Sequence, residues 1–226
     1  MKASPGARSW IAAGVRHELL TRALPSLRHD MAAPISVMRM GLLMLKRQVS
    51  AETIDAAACE ERVALIDSQV AGLVEGIRSL RDWELATADD GITRSALVAQ
   101  CVGLMRAAFD LHGVSLDVEG DALDPREGEP RWPAAAALRY LFLGALGYLH
   151  DGAAESGSIR VEADGADALR LSALPRESDG ARPVLDAHRA PRALAIDAIA
   201  LQSLAEDLGY AIALERDSVR LSLATA

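Results

Sequence analysis

"AAACEERVALIDSQVAGLVEGIRSL", residues 56–80, places apolar or small residues at Ala56, Cys59, Val63, Ile66, Val70, Leu73, Ile77 and Leu80, with spacings that alternate between three and four without a miss. That register returns one face of an α-helix to the same partner over nearly four heptads, so the segment should pack lengthwise against another helix. The partner lies just upstream. Residues 7–48 are helix-compatible and broken only by Pro25 and Pro34; at the rise of an α-helix they would span ~60 Å. Within them Leu27, Met31, Ile35, Met38, Leu42 and Leu45 cluster within about 40° of Met31 on a helical wheel. "SAET" at 50–53 predicts an N-cap at Ser50 and a second helix running to about Ala86. Two striped helices with a short connection form an antiparallel hairpin. One hairpin leaves much of each stripe bare, and pairing two hairpins into a four-helix bundle is the economical way to cover them, so a homodimer is expected.

After "TADDG" at 87–91, which reads as a linker, the pattern changes. Residues 94–112 look helical and "GVSLDVEG" (113–120) follows as a strand, with Gly113 as helix stop. A further helix is expected over 133–150, then strands "SIRVEA" and "ALRLSAL", a helix near 194–208, and strands "YAIALER" and "SVRLSLA". Helices interleaved with short alternating strands predict a helical layer on a mixed sheet. "PREGEP" and "PRESDGARP" read as loops, and no internal repeat is present. The fold class is therefore α+β, with a helical hairpin over 1–88 and an α/β module over 89–226. Half of the residues are hydrophobic and only 4% aromatic, which suits packed helices better than an all-β sandwich.

Charge is divided unevenly. Residues 1–50 hold eight Lys/Arg against Glu18 and Asp30, net +6, while the remainder holds sixteen against thirty, net −14. A basic arm on an acidic body favours an acidic partner at the arm and argues against broad nucleic-acid binding. The two cysteines, Cys59 and Cys101, show no metal-ligand spacing with a histidine and are expected as core fillers in a reducing compartment. "MKASPGARSW" leads into no apolar run with a cleavage site, so no secretory signal is expected. "PAAAALRYLFLGALGYL" (133–149) carries Arg139 centrally and reads as a buried helix rather than a membrane span. A cytoplasmic protein is the expectation.

Inside the first helix, "LRHDMAAPISVMRMGLLML" (27–45) sets His29 beside Asp30. His29 falls about 160° from Met31 on the wheel, opposite the apolar stripe, and should face solvent. Ala32, Ala33 and Ser36 are small, and Pro34 removes the hydrogen bond that would have reached the Asp30 carbonyl. The reading is a reachable imidazole in a shallow surround. The other histidines, His17, His112, His150 and His188, show no partner pattern and are expected at surfaces and helix ends, and Trp83 and Trp132 at junctions.

These residues resemble the histidine box of two-component sensor histidine kinases, where His-Asp or His-Glu is followed four residues after the acid by proline. The similarity continues through the hairpin, "LVAQCVGLMRAAFDLHGVSLDVEG", "LRYLFLGALGYL" and the closing strands. The nucleotide motifs do not follow. Such kinases carry two asparagines in the helix corresponding to "LRYLFLGALGYL", where this chain has Gly144 and Tyr148; an Asp-x-Gly-x-Gly turn is reduced to Asp179-Gly180; and "HRAPRALAIDAIA" lacks the glycines of the lid. Without carboxamide or carboxylate oxygens and glycine amides, magnesium and phosphates lack protein ligands.

A kinase-like hairpin joined to a degenerate ATPase-like module resembles the histidine phosphotransferases of the ChpT type and the related sporulation phosphotransferases. The resemblance implies relay of a phosphoryl group between response-regulator receiver domains through His29 as phosphoacceptor. Asp30 would hold the ring tautomer, and Arg28, Ala32, Ala33, Ser36 and Arg39 would form the receiver-docking surface. It implies no cofactor bound by this chain, with Mg2+ supplied in the partner receiver, and no nucleic-acid or membrane partner. Ala33 stands where many kinases place the Asn or Thr that directs water, which disfavours phosphatase activity. The alternative is a non-catalytic pseudo-histidine-kinase that binds and regulates signalling partners with His29 unused; a kinase with unusual nucleotide contacts is the third reading.

Overall fold

The computed structural model describes residues 4–85, 91–120, 123–152, 156–175 and 194–225. The linker at 87–90, the Asp179-Gly180 turn, His188 and the 188–193 part of the lid segment lie outside the described residues.

Helix α1 (Pro5–Val49) is 45 residues long and runs through both prolines. Each proline removes one backbone donor, yet the chain stays helical because the apolar faces on either side are held by tertiary contacts. Helix α2 (Ala56–Ser79) begins later than the sequence suggests. Its N-cap is Asp55, whose side chain accepts from the Ala58 amide at 3.1 Å, whereas the Ser50 hydroxyl bonds back to the Lys46 carbonyl at the end of α1. The expected extension to Ala86 becomes a 3-10 turn over Leu80–Trp83.

Two compact units result: Leu24–Thr87, and Met1–Ala23 together with Ala88–Ala226. This division differs from the expected one at residue 88. The first 23 residues group with the C-terminal module because Ala12, Val15, Leu19 and Ala23 are buried at helical spacing there, with arginines beside them paired to its acids.

Within the hairpin unit, a Cβ on Gly41 would lie 3.0 Å from Ile66, and Leu27, Asp30 and Met31 line one cavity with Gly72, Leu73 and Gly76. Residue numbers therefore run in opposite directions and the helices are antiparallel. The face of α1 toward α2 carries Leu27, Met31, Pro34, Met38, Gly41 and Leu45, half-buried apart from the buried Gly41. Two residues of the expected stripe depart from it. Ile35 and Leu42 are 45% and 54% exposed, and the close approach to Ile66 is made by the small Gly41 instead.

The second unit contains β1 (Ile92–Thr93), α3 (Arg94–Leu111), β2 (Ser115–Glu119), β3 (Arg131–Trp132), α4 (Ala135–Gly152), β4 (Ser156–Ala163), β5 (Ala168–Pro175), α5 (Ala198–Leu208), β6 (Tyr210–Leu214) and β7 (Ser218–Thr225). The order β2-β4-β5-β7-β6 forms a mixed sheet, parallel between β2 and β4 and antiparallel elsewhere. A two-residue ladder, Ile92↔Trp132 and Thr93↔Arg131, was invisible to strand periodicity because it is too short to alternate. Helix α4 is buried on every side from Ala135 to Leu149 except at Tyr148, as expected of a helix with apolar neighbours all round. Asp197 caps α5, and Gly209, at φ 77°, ends it in the left-handed conformation that glycine adopts without strain.

Candidate functional site

His29 stands at the centre of the solvent-facing side of α1 in the hairpin unit, its side chain 83% exposed. The opposite face of the same turns packs on α2, so the imidazole is mounted on a supported helix while both ring edges stay reachable. The Nδ1 atom lies 3.6 Å from Asp30 Oδ1, ion-pair range and longer than a hydrogen bond. Asp30 is thus adjacent to the ring without holding it. Pro34 withholds the amide that would have satisfied the Asp30 carbonyl.

Around the ring, Arg28, Ala32, Ala33, Ser36 and Arg39 are all exposed. The Ser36 hydroxyl donates to the Ala32 carbonyl at 3.1 Å and so belongs to the helix rather than to the site. The wheel places Met40 and Leu43 within about 40° of His29, and they are 57% and 63% exposed. The sequence reading missed this pair. The signal was available, since both apolar residues lie off the stripe that meets α2. The site is therefore a nucleophile-capable imidazole with a carboxylate beside it, a floor of small residues, and an apolar and basic track extending toward the C-terminus of α1.

A second cluster of ionisable groups lies in the other unit. His112 Nδ1 is 3.1 Å from His150 Nε2, and His150 Nδ1 is 3.1 Å from Asp151 Oδ1. His150 stands in the last turn of α4, a helix end as expected, but it is buried against the Phe109 ring and has partners that the sequence did not reveal. The Asp151 carboxylate also accepts from Arg22 (2.8 and 3.2 Å) and from the Ile196 amide (2.9 Å). Burial pushes Asp151 upward, but the hydrogen bonds from His150, Arg22 and Ile196 and the Arg22 charge more than offset it, holding the carboxyl well below the usual carboxylate range. Arg22 in turn donates to Glu18 and to the Leu194 carbonyl. Arg8 pairs with Glu206 and Arg16 with Asp207. Three cations of the basic arm thus meet acids of the same chain, leaving Arg28, Arg39, Lys46 and Arg47 exposed around and beyond His29.

The outer face of α4 is filled by side chains. A Cβ at Gly144 would lie 2.9 Å from Leu204 and 3.0 Å from Leu201, with Leu19 at 3.9 Å, and one at Gly147 would meet Ile196 at 2.7 Å and Arg22 at 3.5 Å. The Tyr148 hydroxyl donates to the Glu215 carbonyl. A side chain at position 144 would press on the ends of two leucines, so this face of α4 is packed beside Gly144. Cys101 is fully buried, its thiol pushed up to about 12 by burial against a smaller opposing effect of the Arg139 charge, and Cys59 is half-buried. Among the described residues no cluster of three His, Cys, Asp or Glu is placed to hold a metal ion, and no helix is long and apolar enough to cross a membrane.

No family model matches the chain, and no curated protein sequence matches it. Among solved structures, it is similar to the Acinetobacter baumannii histidine kinase AdeS (10% identity, TM-score 0.34, covering 86% of this chain and 98% of the other). It is also similar to the cytoplasmic segment of the histidine kinase QseC (12%, TM-score 0.36, covering 76% and 98%). A third is a histidine kinase from Burkholderia phymatum STM815 (17%, TM-score 0.35, covering 99% and 100%).

Proposed function

We propose that this protein is a histidine phosphotransferase that passes a phosphoryl group between response-regulator receiver domains through His29. The observation that carries the reading is the 83% exposure of His29 on a helix supported from behind, with Asp30 at 3.6 Å. A neutral imidazole keeps one lone pair available to attack. Nε2 attacks the phosphorus of a receiver's aspartyl phosphate, the P–N bond forms, the P–O bond to that aspartate breaks, and the aspartate leaves as a carboxylate. Attack by a second receiver's aspartate reverses the step. While the phosphoryl group is on Nε2 the ring carries positive charge with its proton on Nδ1, and Asp30 has only to close a few tenths of an ångström to accept from it. Magnesium belongs to the receiver. The filled face of α4 supports a reading in which this chain supplies neither nucleotide nor metal.

Arg28, Ala32, Ala33, Arg39, Met40 and Leu43 form the docking surface for the receiver, the cations steering toward its acidic pocket and the small residues letting it approach the ring. The second, unpartnered stripe supports a homodimer: Ile35, Leu42 and Val49 on α1 and Val63, Val70 and Ile77 on α2 recur every seven residues and are 40–60% exposed.

The test is transfer of labelled phosphate from phosphorylated receiver domains to wild type and His29→Ala, with labelled ATP in parallel. Label on wild type from a receiver, absent in His29→Ala and absent with ATP, is expected. Receiver binding without label on any variant would replace this reading with the regulatory pseudokinase, and label from ATP would make the protein a kinase.

A further inference from the structure

Helix α2 carries two glycines four residues apart, Gly72 and Gly76, in its interior. Glycine destabilises a helix interior relative to alanine, so such positions call for a reason. At Gly41, Gly144 and Gly147 the reason is packing, since an added Cβ would lie 3.0 Å or less from a neighbour. At Gly72 and Gly76 an added Cβ would meet nothing within 4 Å. What the missing side chains leave is space: an open surface cavity of about 150 Å³ lined by Leu27, Met31, Leu73 and Leu80, with the exposed Asp30 at its edge. A cavity of about that size holds a benzene ring. Asp30 is the sole acid between Glu18 and Glu52, in a stretch otherwise basic.

We infer that this cavity is a binding pocket for an arginine side chain, presented by the receiver that exchanges phosphate with His29; the identity of that partner rests on the proposed function, while the pocket does not. The lining suits the occupant in both halves. Four apolar side chains and two bare glycines take an aliphatic stem, and a carboxylate takes the planar cation that such a stem carries. A purely apolar anchor would make no use of the Asp30 carboxylate, and an anionic one would be repelled by it. The occupant also has an electrostatic consequence. Asp30 sits beside the Nδ1 edge of the ring whose Nε2 would receive the phosphoryl group, and its charge opposes that dianionic group's approach. A guanidinium on Asp30 offsets the repulsion at the moment of docking, so the pocket links recognition to transfer.

The test uses the full-length protein and n-butylguanidinium as probe, followed by amide chemical shifts. Saturable shifts at Gly72, Leu73 and Gly76 are expected, with affinity about fivefold or more lower for Asp30→Asn and shifts abolished for Gly76→Leu. Gly76→Leu fills open space and removes a helical glycine, so the hairpin's melting temperature should hold or rise, which separates loss of binding from loss of fold. Absence of saturable shifts, equal shifts from n-butanol, or unchanged affinity in either variant would overturn the pocket. The second arm is transfer from a phosphorylated receiver, expected to slow at least about fivefold in Gly76→Leu. Transfer at the wild-type rate would overturn the arginine's origin in the receiver. If wild type accepts no label, the phosphotransfer reading fails and the probe titration alone decides the pocket.

Discussion

Asp151 shows how much a single buried carboxylate can hold. It ties two helices and a loop together through His150 on its own helix, Arg22 of α1 and the Ile196 amide. Its carboxyl is depressed below the value it has in an unfolded chain, about 4. The folded state therefore binds fewer protons there than the unfolded state. The resulting stability is fully present above about pH 4 and is lost as pH falls through the folded value. Asp151→Asn should cost about 2–3 kcal/mol at neutral pH, less than the 3–5 expected for a fully buried pair, because Arg22 keeps Glu18. The variant's stability should also be flatter than wild type's between pH 5 and pH 3. Denaturant unfolding across that range checks both; a parallel acid limb in the two proteins would assign the loss to other carboxylates. Nothing local in the sequence announces this residue. His150-Asp151 reads as a helix end, and its partners Arg22 and Ile196 come from 129 and 45 residues away. His29 was legible for the opposite reason: a surface residue is fixed by its own helix, and the wheel that places Met31 inside places His29 outside.

At the level of elements, the heptads told where two helices had to pack but not which edge of each arc would meet the other helix. A helical stripe is about 100° wide, and an antiparallel partner can settle on either side of it. Here Gly41 lets α2 come close, and Ile35 and Leu42 on α1, with Val63, Val70 and Ile77 on α2, are left exposed as apolar residues. Such apolar surface in water is a cost that association removes. If it is the seam between two copies, Val70→Glu should bury an unpaired charge and raise the dimer dissociation constant about 100-fold, ~3 kcal/mol. Sedimentation of the variant across a concentration series reads this directly. A variant that stays dimeric at the wild-type concentration would move the interface elsewhere. The caps were misread for a related reason. Ser50 and Asp55 are both good N-cap residues, and only the final turn of α1, which uses the Ser50 hydroxyl, decides for Asp55.

The whole molecule has an unusual division of labour along one helix. Residues 5–23 of α1 supply a wall of the α/β unit through Ala12, Val15, Leu19 and Ala23, while residues 24–49 belong to the hairpin, and Pro25 stands just past the boundary. Tertiary packing, which supplies most of a helix's stability, is not shared between the two halves of α1. Opening of either unit should then unravel its own part of α1 and stop near the proline, where one backbone bond is already absent. Native-state hydrogen exchange should show residues 12–23 opening with α4, and residues 31–45 opening with α2. Asp151→Asn supplies the discriminating perturbation, because Arg22 anchors only the first segment. Protection over 12–23 should fall together with that of α4, while protection over 31–45 stays at the wild-type level. A loss that spreads evenly along α1 would mean that the long helix opens as one unit, and that the docked segment and the His29 segment are energetically coupled.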